Sequence, residues 1–122
     1  MTGYTRELVE RVAAHLFGAE ASGDVMDILD HYPDEGSEAG RARVQLAILK
    51  LSRGDPEKLP DLVAQAWSDF RDVLGAAEYP EQMRLPAWQL REEEGSAAAQ
   101  RDLAQYRAWL TSVGANEVEP VA

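Results

Sequence analysis

The side chains with the most chemical potential gather around His31. Asp24, Asp27, Asp30, Asp34 and Glu35 lie close to it in sequence. Asp27 and His31 stand four apart, so on a helix both face one side and can reach a single cation. The pattern stops short of a recognised ligand set. Val12 precedes His15 by three and Ile28 precedes His31 by three, so the Glu-x-x-His spacing of di-iron bundles is missing. A calcium loop with its central glycine and closing glutamate is missing too. Acidic residues in a helix's first turn are favoured by the macrodipole alone. No metal site is expected, and Asp27 and His31 are the residues any cation would use.

A second group comprises Asp69, Arg71, Asp72 and Glu78, followed by Tyr79. Asp69 and Asp72 share a helical face and are placed to receive Arg41 or Arg43 from a neighbouring helix, an ion pair that would set register. The same group also suits a polar patch for a partner protein. Acyl-transfer chemistry finds little support: the chain has 2 histidines and no cysteine, and no Gly-x-Ser-x-Gly elbow surrounds a serine. The glycines are scattered singly, which excludes the phosphate-cradling loops. His15, near a helix C-terminus, is a dipole-favoured cation. The chain reads as a non-enzyme without a cofactor.

The tryptophans form the third group. Trp67 falls on an apolar stripe and is expected in the core. Trp88 sits in an irregular segment. Trp109 adjoins Leu110, with Tyr106 and Val113 on the same seam. An aromatic-rich last helix after a proline-marked linker suits docking in trans as well as packing on its own bundle. The interaction residues expected are therefore Trp88, Tyr106, Trp109, Leu110 and Val113.

The elements that must carry these groups are helical. Leu59, Val63, Ala66, Phe70, Val73 and Ala77 recur at four and three, a core-facing seam over a central helix at about 56–77. Asp55 and Pro56 signal its start. Earlier helices run from Tyr4 or Thr5 to Leu16, from about Ala19 or Ser22 to Tyr32, and from a Ser37 cap to about Ser52. The third is apolar round most of its circumference and should be buried on more than one side. Between Tyr79 and Gly95 no period holds, and a short helix near Pro86 is the most the pattern allows. A last helix from a Ser96 cap carries Ala99, Leu103, Tyr106, Leu110 and Val113, and Gly114 ends it. Residues 115–122 read as a disordered acidic tail after a single helical domain at 1–114. No stretch alternates with strand period. The fold expected is all-α, a bundle of about five helices with short connections.

Composition narrows the function classes. With 22 acidic and 12 basic residues the 122-residue chain carries a net charge of −10. That opposes a phosphate-tracking or anionic-membrane surface, both of which depend on clustered Lys and Arg. The absence of cysteine fits a reducing compartment. The N-terminal stretch lacks the basic and apolar regions of a signal peptide, and no apolar run reaches the ~18 residues of a membrane span. A cytoplasmic protein is expected.

The run Arg43-Val44-Gln45-Leu46-Ala47-Ile48-Leu49-Lys50-Leu51-Ser52, then Gly54-Asp55, Phe70-Arg71-Asp72-Val73-Leu74 and Ala77-Glu78-Tyr79-Pro80, resembles short bacterial proteins of unassigned function. The resemblance spans Arg41 to Pro80. It implies a small helical bacterial protein and no activity that could be carried over. Together these features lead to a non-enzymatic interaction module, self-associating or binding another protein, with no nucleic-acid or membrane partner. The alternatives are an acidic ligand- or cation-binding bundle, or an acidic inhibitor or antitoxin-like partner of a basic protein.

Overall fold

Helix α1 (Arg6–Phe17) starts where extended Thr5 turns its Oγ1 back to accept from the Leu8 N–H at 3.2 Å. It buries Leu8, Val9, Val12 and Ala13, and stops at Gly18, whose φ of 90° few side-chain-bearing residues adopt. Helix α2 (Ser22–Leu29) is shorter than its apolar pattern, although Tyr32 beyond it is still buried. The computed structural model describes residues 3–33, 37–115 and 118. Asp34 and Glu35 of the acidic cluster lie outside them.

Helix α3 (Glu38–Ser52) begins where expected, with Ser37 Oγ accepting from Gly40 at 3.0 Å. From Val44 to Leu49 every side chain is buried, as the all-round apolar pattern requires. Left-handed Arg53 and Gly54 end it. Asp55 then caps a 3₁₀ turn (Pro56–Lys58) by accepting from Glu57 at 3.0 Å. That turn runs into α4 (Leu59–Glu78), which doubles back along α3. Arg43, in the first half of α3, grips Glu78 at the end of α4. Helix α4 also touches α2, α5 and α6, the position of a central element.

Helix α4 is not continuous. At Asp69 the backbone opens to φ −159°, ψ 97°, and the Asp69 carboxylate caps the second half by accepting from the Arg71 N–H at 3.0 Å. Leu59, Val63 and Ala66 face the core before the break; Val73, Leu74 and Ala77 face it after.

The stretch without a period contains a sixth helix, α5 (Pro80–Arg84), and a second 3₁₀ turn (Gln89–Arg91). Its stability is tertiary. Asp102 of α6 (Glu93–Ser112), only 1% exposed, accepts from the Glu81 and Gln82 N–H groups at 3.0 Å each. It therefore serves α5 as a cap supplied from another element. Helix α6 starts three residues before the expected Ser96 cap, because Gly95 packs directly on the Leu90 carbonyl. The described residues form an all-α bundle of six helices. Of the stretch expected to be a disordered tail, Ala115 and Val118 are instead buried in the core. The remainder, 116–117 and 119–122, lies outside the described residues.

Candidate interaction surfaces

The polar groups of α3 and α4 do meet, through partners other than those expected. Arg43 reaches Glu78, with Nη2 at 2.6 Å and Nε at 2.9 Å from its two oxygens. Asp69 is occupied with capping, so it does not take up an α3 arginine, and Arg41 instead donates to the carbonyls of Tyr32 and Asp30. Glu78 is the better partner because it is nearly buried and the fork geometry is bidentate. Hydrogen bonding to Glu78 raises the Arg43 pKa further above its ordinary value. The Tyr4 and Tyr106 hydroxyls lie near this pair, buried and without a hydrogen-bond partner among the described residues. Burial pushes the Tyr4 phenol up to about 12 and raises that of Tyr106 as well.

Of the described acidic residues around His31, Asp30 is engaged by neighbouring side chains. Asp30 accepts from both terminal nitrogens of Arg6 at 2.7 Å and from Gln45, and the Arg6 hydrogen bonds hold its carboxyl below the usual range. Asp27 and His31 are exposed, and the His31 ring nitrogen lies 3.3 Å from the Ile28 carbonyl. Among the described residues no three His, Asp or Glu side chains converge as a metal site. The hollow between α1 and α3 is lined by Arg6, Glu38, Arg41 and Gln45, which are largely engaged with one another and with Asp30.

The last helix turns its seam inward. Tyr106, Leu110 and Val113 are buried, and Trp109 is half-buried with its ring stacked on Tyr106 at 5.6 Å. These four therefore complete the bundle in cis. Their four-three spacing fits either outcome, and the Tyr4, Lys50 and Ala77 region supplies the surface they cover. Of the expected interaction residues Trp88 alone is largely exposed, at 62%.

Two exposed apolar groups take their place. The first is the bend from Met83 to Leu90, where Trp88 and Leu90 (42%) are exposed and Met83 (48%) is half exposed with its thioether packed on Gly75 of α4. The start of α5 just before it is held by the Asp102 cap and by an Arg101–Glu81 ion pair at 2.7 Å, and within the bend the Gln89 and Leu90 N–H groups donate to the Pro86 carbonyl. The second is the break in α4. Trp67, expected in the core, is 60% exposed, and Phe70 is 37% exposed. The two rings flank the extended residue, and neither joins the buried stripe of Leu59, Val63, Ala66, Val73 and Ala77. The Trp67 indole N–H donates to the His31 carbonyl at 2.9 Å, which fixes the ring at the end of α2. A hollow of about 350 Å³ opens there, lined by Tyr32, Pro33, Trp67, Asp69, Phe70 and Arg71 among others.

Sequence reasoning missed Met83, Leu90, Trp67 and Phe70 as surface groups. One signal was present: Ser68-Asp69 places two capping residues inside an apolar helix, where such side chains favour termini. Comparison of the chain with protein-family models, curated proteins and solved structures gives no significant match. Among the described residues no helix is long and apolar enough to cross a membrane.

Proposed function

We propose that this chain is a non-enzymatic protein-interaction module whose contact surface is the bend from Met83 to Leu90, with a second copy of the chain as its first partner. One observation carries the reading: three large apolar side chains stand exposed within eight residues that follow directly on Glu81 and Gln82, whose N–H groups a buried aspartate caps. Single exposed apolar residues are ordinary. A cluster including tryptophan on a hydrogen-bonded backbone is what binding hot spots are made of, because less ordering entropy remains to be lost on association. The bend carries both charge signs, Arg84 and Arg91 beside Glu92, Glu93 and Glu94, so two copies can meet without opposing a single sign of charge.

The test is solution mass by light scattering across a concentration series, on the parent chain and on the Trp88→Ser, Leu90→Ser double variant. The expected result is a dimer that the variant abolishes while its unfolding free energy stays within about 1 kcal/mol of the parent, as exposed substitutions do. A loss of several kcal/mol would make these side chains structural. A parent chain that stays monomeric at every concentration would remove the second copy as partner.

A further inference from the structure

Asp69, where α4 breaks, uses only one of its oxygens. Oδ1 accepts from the Arg71 N–H at 3.0 Å and faces the Arg71 Nε at 3.4 Å. Oδ2 accepts no hydrogen bond among the described residues, and the carboxylate lies at the edge of the hollow bordered by the exposed Trp67 and Phe70. Asp69 and Arg71 are the charged side chains of the lining, and the charges that flank them along α4, Asp61 and Asp72, are both acidic. Asp72 is exposed one turn on, Asp27 is exposed one turn before the His31 that holds Trp67, and Arg71 is the basic side chain in the lining. The Arg71 side chain is 77% exposed, so it is free to leave Asp69 to a competitor. A chain of net charge −10 attracts basic partners before contact and repels a second copy brought to this acidic face.

We propose that the hollow at the α4 break docks a basic segment of a partner protein, seating an Arg or Lys side chain with its charged end on Asp69 Oδ2 and its aliphatic stem against Trp67 and Phe70. The chemistry is that of a cation beside exposed aromatic faces, reinforced by one carboxylate. This proposal rests on the reading of the chain as an interaction module, but it uses a different surface from the bend.

The experiment titrates the intact ¹⁵N-labelled protein at low salt with an acetylated, amidated Arg-Leu-Arg-Leu-Arg peptide, and with its Glu-Leu-Glu-Leu-Glu counterpart as control. The expected result is saturable binding of the basic peptide alone. It should weaken as salt rises, and the largest shifts should fall on the Trp67 indole N–H and on residues 68–72. Asp69→Asn retains a capping side chain while removing the charge and should weaken binding about fivefold, as should Trp67→Leu. Glu57→Gln, which removes an exposed carboxylate before the start of α4 and away from both surfaces, should leave it unchanged. No binding at millimolar peptide overturns the proposal, as does binding that neither variant weakens. Shifts centred on residues 83–91 would overturn the hollow while leaving the bend as the module's surface, and the light-scattering result stands apart from every one of these outcomes.

Discussion

At the scale of single residues, the two buried phenols near Arg43 and Glu78 make the clearest statement. A buried hydroxyl without a partner gives up its hydration and gains nothing in return, so removing it should be nearly free. Tyr106→Phe should therefore change the unfolding free energy by less than about 1 kcal/mol, whereas truncating the whole ring would cost several. The same burial makes the fold sensitive to alkali. Tyr4 ionises near 12 when folded against its ordinary 10.0, so the folded form binds its proton more tightly than the unfolded chain does. That contribution is intact below pH 10 and is lost as pH rises from about 10 towards 12. Melting temperature followed over that range should fall, with phenolate absorbance rising as the chain unfolds, and Tyr4→Phe should shallow the fall. A Tyr4→Phe variant whose melting temperature falls as steeply as the parent's over that range would contradict the burial. Nothing in the sequence marks these hydroxyls as unpartnered, because Tyr4 and Tyr106 are brought together by folding alone.

At the scale of elements, two glycines give opposite predictions. Gly23 lies within α2, and a Cβ there would meet no atom within 4 Å. Gly23→Ala should stabilise by up to about 1 kcal/mol on helix propensity alone. Gly95 lies in the first turn of α6, where a Cβ would overlap the Leu90 backbone carbonyl. Gly95→Ala should destabilise despite the same propensity gain, because a backbone must move. Chemical denaturation of the two variants reads both signs. The contrast shows how much of the fold was legible. Helices α1 and α3, with the Thr5 and Ser37 caps and the glycine stops, follow from local rules, and local rules are visible in sequence. Helix α5 does not, because its cap comes from Asp102, some twenty residues away. The unbroken central helix failed for a related reason: the apolar period continues through residue 69, and only the capping preference of Ser68-Asp69 signalled a break. Of the candidate surfaces, Trp88 was legible. Trp67 and Phe70 were not, since both fit the apolar period that runs through the break.

At the scale of the whole molecule, the excess of acidic over basic residues, 22 against 12, should govern the response to salt. Ion pairs such as Arg6–Asp30 and Arg101–Glu81 are partly exposed, and each loses at most about 1 kcal/mol to screening. Self-repulsion among ten uncompensated charges is relieved by the same ions and should outweigh that loss. Melting temperature should rise by roughly 2–5 °C between low and physiological salt, by the usual conversion of ~1 kcal/mol. A fall would mean that the pairs dominate.

The inward turn of α6 has a consequence for how the chain comes to be folded in the first place. Tyr106, Leu110, Val113, Ala115 and Val118 all belong to the core that also holds Tyr4 and Ala77. The forty residues separating Glu78 from Val118 take roughly 2–8 s to synthesise at ordinary rates. Through that interval α1 to α4 lack the cover that α6 provides. A ribosome paused within α6 would hold a nascent chain whose apolar interior is exposed on one side, the state most open to capture by a chaperone or a protease.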